Sequence, residues 1–205
     1  MPINQQWLDL VIEEALEPEL PICDPHHHLW DFPDSRYLLD ELIMDTGSGH
    51  NIRKTVFIEC SSMYNSFATT AMAPVGETEF VQGIAAQSAS GQYGETQAVA
   101  GIVGFADLTM GTAVDEVLLA HKAASPNRFR GIRHACSWDE SDAVRNAHTN
   151  PPQSLYMQDQ FRQGFALLEK HQLSFDSWQF HTQITELVDL AKTFSYLANK
   201  GVSVQ

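Results

Sequence analysis

Short apolar runs that end in polar residues alternate along this chain with stretches whose apolar positions fall at helical spacing. Lys54-Thr55-Val56-Phe57-Ile58-Glu59-Cys60 is short, β-branched and nearly all apolar, as a strand buried on both faces should be. Ala98 to Ala106, Phe129 to His134 and Leu173 to Asp176 read the same way, and Ile22-Cys23 opens the series. Helices are predicted between them over Gly76–Ser90, Ala113–Ala124 and Tyr156–His171. In the last of these, Phe161, Phe165 and Leu168 form the apolar stripe. A first helix is expected over Gln5 to Leu16, ended by Pro18 and Pro21, and a final one over Ile184 to Leu197. Phe32 to Asn51 and Ser137 to Pro152, rich in Pro, Gly, Ser, Asn and Asp, read as long loops.

This alternation predicts an α/β fold on a parallel sheet, in a single domain spanning residues 1–205. In a parallel sheet the C-terminal strand ends share one edge, and here each of them carries polar or ionisable groups. They are His26 and His28, Glu59 with Tyr64, Asp107, Arg133 with His134, and Asp176 with His181. The first set lies in Ile22-Cys23-Asp24-Pro25-His26-His27-His28-Leu29-Trp30-Asp31. In an extended run the side chains alternate, so Asp24, His26 and His28 share a face and His27 takes the other. Two imidazoles and a carboxylate can bind a divalent cation or move a proton; a histidine-rich turn is the plain alternative. Asp24 is either a ligand or a cap for backbone amides. Glu59 either orients a histidine or pairs with Arg133 or Arg53, and Asp176 has the same ambiguity. His134 reads as a packed or surface imidazole, whereas His50, His121, His148 and His171 read as solvated.

A formal net charge of −14 repels phosphate backbones and anionic membranes, so nucleic acid is not an expected partner. No apolar stretch reaches the length of a membrane span, and the acidic N-terminus does not resemble a signal peptide, so a cytoplasmic location is expected. Cys23, Cys60 and Cys136, odd in number and widely spaced, read as buried thiols rather than a disulfide framework.

Four stretches resemble one family. Asp24-Pro25-His26-His27-His28-Leu29-Trp30-Asp31, Glu59-Cys60-Ser61-Ser62-Met63-Tyr64, Phe129-Arg130-Gly131-Ile132-Arg133 and Phe175-Asp176-Ser177-Trp178-Gln179-Phe180-His181-Thr182-Gln183 are similar, in that order, to strand ends of amidohydrolase-related proteins, specifically the lactonase-like branch. The resemblance implies a (β/α)8 barrel with its active site at the C-terminal strand ends. It also implies hydrolysis of sugar-acid or pyrone dicarboxylate lactones; relatives decarboxylate aromatic acids. By it, His26, His28 and His181 would be ligands of a divalent metal such as Zn or Mn, or substrate-polarising groups in members that work without one. Arg133 would anchor a substrate carboxylate or carbonyl, and Tyr64 would be a donor at the pocket wall.

A complete barrel takes about 250 residues, and this chain supplies about five of the eight βα units. The family's sixth strand, with a histidine, and its eighth, with the aspartate that activates water, would follow Phe194; Val202 and Val204 read as a remnant of the sixth. An incomplete barrel leaves sheet edges that open, oligomerise or aggregate unless another chain covers them. The expected function is hydrolysis of a lactone or cyclic ester of a small acidic compound. The alternatives are a catalytically inactive partial barrel that binds or oligomerises, and decarboxylation.

Overall fold

A computed structural model describes residues 5–195 and 203–204. Its elements in chain order are α1 (Gln5–Leu8), β1 (Pro21–His27), β2 (Trp30–Phe32), β3 (Ser35–Tyr37), α2 (Leu39–Thr46), β4 (Asn51–Ile58) and α3 (Val75–Ser88). Next come β5 (Gln97–Gly104), a 3-10 turn (Leu108–Val114), α4 (Asp115–Ala124), β6 (Phe129–Arg133) and a second 3-10 turn (Leu155–Met157). The chain closes with α5 (Asp159–His171), β7 (Ser174–Ser177), a third 3-10 turn (His181–Gln183), α6 (Ile184–Thr193) and β8 (Ser203–Val204).

One parallel sheet runs in the order β1-β4-β5-β6-β7-β8, so each strand lies beside the next strand of the repeat, as in a section of a barrel wall. The expected α/β class is present as a partial barrel. Phe57, Ile102, Ile132 and Phe175, one from each of four adjacent strands, are buried in the core with Val81, Val117, Leu118, Phe161, Phe165 and Leu168 of the helices. Phe161, Phe165 and Phe175 meet ring to ring, 5.0–6.3 Å between centroids. Two glycines let backbones approach. A Cβ on Gly131 would lie 2.3 Å from the Ser174 hydroxyl of the neighbouring strand, and one on Gly164 would lie 2.3 Å from the Leu108 carbonyl oxygen. Only glycine lets α5 press this closely on the first 3-10 turn.

Several expectations are corrected. The first helix ends at Leu8 rather than Leu16; Leu10, Val11, Ile12 and Leu16 stand exposed, and helical spacing without a surface to pack on does not hold a helix. The supposed loop from Phe32 to Asn51 contains the end of the β2–β3 hairpin and α2. Stacking of Trp30 on Tyr37 fixes the hairpin, and Glu41 Oε2 accepts the Leu38 N–H at 2.8 Å to start the helix. Cys23 is exposed rather than buried, and all three cysteines are free. His121 and His171 are buried rather than solvated. His121 bridges the Thr78 hydroxyl at 2.8 Å and the Phe105 carbonyl at 2.9 Å, while His171 meets Asp115 at 2.6 Å. The expected sixth-strand remnant falls partly outside the described residues, at Val202, but Ser203 and Val204 do pair with β7. No described helix is long and apolar enough to cross a membrane.

Candidate active site

The polar strand ends meet on one side of the sheet. At the end of β1 the Asp24 carboxylate accepts the His26 N–H at 3.0 Å, so this acid shapes the turn. His26 and His28 reach the same place, their Nε2 atoms 3.0 Å apart, while His27 turns away into the core beside Thr55 and Phe57. The Ile58 carbonyl lies 2.8 Å from His28 Nδ1 and accepts its proton, which leaves His28 Nε2 as an acceptor and gives the shared proton to His26 Nε2. Burial, then the charges of His28 and Arg133, push His26 down to about 4. Burial also lowers His28, which favours the neutral form of both rings.

Arg133 ends β6 and is 3% exposed. Its Nε donates to Glu59 Oε1 at 2.8 Å, a terminal nitrogen donates to the Glu59 carbonyl, and its guanidinium lies 4.9 Å over the Trp178 ring. Glu59, 0% exposed, is therefore paired with Arg133 and not with Arg53, which meets Glu95. Burial alone would raise the Glu59 carboxyl, but His148 and Arg133 together hold it below its ordinary value. Its second oxygen, Oε2, has no hydrogen bond among the described residues, and His148 Nε2 stands 3.6 Å away, at ion-pair distance. Asp176, opposite Arg133 in register, is pushed up to about 6, by burial above all, and its Oδ1 has no hydrogen bond among the described residues.

A cavity of about 400 Å3 opens here, lined by His28, Cys60, Arg133, Arg145, His148 and Trp178 among others. Its far wall is the loop after β6, pinned where it matters. Ala147 N–H donates to the Ser137 carbonyl at 2.9 Å and the Thr149 hydroxyl to the Ala135 carbonyl at 2.6 Å, which fixes both neighbours of His148. Gln183, buried, braces the same loop against the end of β7: its amide donates to the Cys136 carbonyl at 2.6 Å and accepts the N–H groups of Trp138 and Phe180. A larger depression, about 590 Å3, lies at the opposite strand ends beside Lys54, Gln97 and Arg128; its lining contains no imidazole and no buried carboxylate. The chemistry lies with the smaller cavity.

Of the residues singled out from the sequence, His26 touches His28, and His28 and Arg133 line this cavity. His181 is exposed at the start of a 3-10 turn, and Tyr64 is half-buried; neither lines the cavity. Burial, with Glu77 and Glu59 nearby, pushes the Tyr64 phenol up. Among the described residues no three His, Cys, Asp or Glu side chains gather as a metal site. The two converging imidazoles thus do not complete the expected donor set among the described residues. His148, exposed as expected but also lining the cavity, and Arg145 and Trp178 are the members that sequence reading missed; the Asn146-Ala147-His148-Thr149-Asn150-Pro151-Pro152 run signalled only a loop.

No family model matches the chain. The uncharacterized protein y4mH of Sinorhizobium fredii is 28% identical over 190 residues, covering 86% of this chain and 59% of its own length. Two crystal structures of an amidohydrolase from Burkholderia multivorans, one with bound HEPES and one with bound Zn, superpose with TM-scores of 0.54 and 0.52 at 19% and 20% identity. Each superposition covers 83% of this chain and 53% of the other. The chain shares the fold of that part of the amidohydrolase, and it spans less than two thirds of the length of each protein it matches.

Proposed function

We propose that this chain carries the site of a hydrolase that opens a lactone or related cyclic ester of a small acidic compound. The cavity where Arg133 and Arg145 face His28 and His148 at the C-terminal strand ends carries this reading. Fold alone does not fix an activity, but this edge is where barrel enzymes place their reacting groups. Arg145 and the N–H donors of Arg133 not taken by Glu59 supply the charge that holds an anionic substrate. The same guanidinium groups supply hydrogen bonds to a polarised carbonyl, and an imidazole of the cavity accepts a proton from water. Ester hydrolysis needs those functions and no electron transfer.

The test is turnover of five- and six-membered lactones, with and without a carboxylate substituent, with Zn or Mn added or withheld. Opening of the carboxylated lactones in preference to the neutral ones is expected. Arg145→Met should act mainly on KM, raising it about tenfold, as loss of one charge-assisted contact does. Carbon dioxide release from aromatic acids without lactone opening would move the reading to a decarboxylase. The incomplete metal donor set favours one second reading, a binding module: calorimetry would then show carboxylated lactones bound and none opened.

A further inference from the structure

We infer that His148, with Glu59 behind it, is the catalytic base of this cavity; the inference rests on the lactonase reading above. Three observations converge on it. Glu59 Oε2 is a fully buried carboxylate oxygen with no hydrogen bond among the described residues, and the group facing it is His148 Nε2 at 3.6 Å. The other carboxylate oxygen is held by Arg133 Nε at 2.8 Å, so Glu59 is fixed in the orientation that presents Oε2 to the imidazole. The imidazole is itself placed, its two chain neighbours tied to Ser137 and Ala135 and its ring set against Trp178, 6.0 Å between centroids.

A carboxylate behind an imidazole selects the tautomer. With Nε2–H directed at Glu59, Nδ1 is the nitrogen with a lone pair, and the buried anion stabilises the imidazolium that forms when it takes a proton. His148 is 33% exposed and lines the cavity with His28 and Arg133, so it reaches both water and substrate. His26 and His28 are less suited to this part, because His28 spends one nitrogen on Ile58 and the other on His26.

The step balances. His148 Nδ1 takes one proton from a water whose oxygen attacks the ring carbonyl, forming a C–O bond. The tetrahedral intermediate collapses, the ring C–O bond breaks, and the departing oxygen takes the same proton back from His148. One water and one lactone give one hydroxy acid, which loses its carboxyl proton to solvent.

The experiment uses the carboxylated lactone that the wild-type chain opens fastest. His148→Gln should lower kcat by about 100-fold or more, in line with loss of a general base, while KM changes by less than about threefold. Imidazole added to His148→Gly should restore part of kcat, which a merely structural role would not allow. His50→Gln, on an exposed imidazole away from the cavity, is the control and should leave kcat unchanged. Because His148 is partly exposed, the variants should keep the wild-type circular dichroism spectrum. A His148→Gln enzyme within about twofold of wild type, or one changed in KM alone, overturns the inference and leaves the lactonase reading standing. A His148→Gly enzyme that imidazole does not restore also overturns it. Wild-type protein that opens no lactone overturns both.

Discussion

Arg133→Met removes the cation from a pair that is almost wholly shielded from water. The Glu59 side chain, 0% exposed, would lose its hydrogen bond to Nε, and the Glu59 carbonyl would lose its donor. An uncompensated buried carboxylate costs about 3–5 kcal/mol, a large part of the 5–15 kcal/mol or so that holds a domain folded. With a urea dependence of about 2–3 kcal/mol per M for a chain of this size, the unfolding midpoint should fall by about 1–2.5 M. Tryptophan fluorescence reads it directly, because Trp178 lies against the guanidinium. Replacing both partners, Glu59→Met with Arg133→Met, removes the stranded charge and should recover most of the loss, so the double variant should cost far less than the sum of the two singles. The sign with pH follows from the lowered Glu59 carboxyl. Its contribution is complete above the ordinary 4.5 and is lost as pH falls through the lower folded value. The gap between wild type and Arg133→Met should therefore narrow in acid. A single variant that costs less than about 1 kcal/mol, or a double variant no better than the sum of the singles, would refute the claim that this pair is a coupled unit.

Glu77 lies in the first turn of α3, its Oε1 accepting the N–H groups of Cys60 and Ser62 at 3.1 and 2.7 Å, and burial pushes its carboxyl up to about 8. A raised carboxyl binds its proton more tightly when folded, so its stabilisation is complete at acid pH and declines as pH rises from about 4.5 to about 8. Glu77→Gln should flatten that decline in urea titrations run from pH 5 to 9; parallel curves would count against it. Gly164→Ala would ordinarily favour a helix by about 1 kcal/mol. Here the Cβ meets the Leu108 carbonyl oxygen at 2.3 Å, and a net loss of about 1–3 kcal/mol is expected in the same assay. Among the described residues β1 and β8 each pair on one side only, so light scattering should give a mass above the 22.9 kDa monomer. A stable monomer at micromolar concentration would show that the edges need no second chain.

The repeat of strand and helix was legible because apolar runs with polar ends mark buried parallel strands whatever surrounds them. The period of two along an extended run likewise put His26 and His28 together and sent His27 into the core. What sequence could not show was set by tertiary contact. Glu59 and Arg133 are 74 residues apart, and nothing local in either marks the other as its partner. His148 reads as a loop histidine until Ala147 and Thr149 are seen tied to Ser137 and Ala135. His121 reads as a surface imidazole until Thr78 and Phe105 satisfy both of its nitrogens. The first helix failed for the converse reason: Val11, Ile12 and Leu16 carry the helical pattern but have no core to bury against. The strand-end motifs pointed to three histidines, and the turn after β7 leaves His181 at the surface, apart from the other two.

The most direct test of the account is proton release, followed by pH-stat at constant pH, as the wild-type chain is given carboxylated lactones. Opening one lactone yields one carboxylic acid and so releases one proton to solvent. Release above the uncatalysed rate, in one-to-one proportion to lactone consumed and reduced about 100-fold or more by His148→Gln, is the predicted result. No release above the blank across the panel, with or without added Zn or Mn, would contradict the assignment of this cavity to lactone hydrolysis.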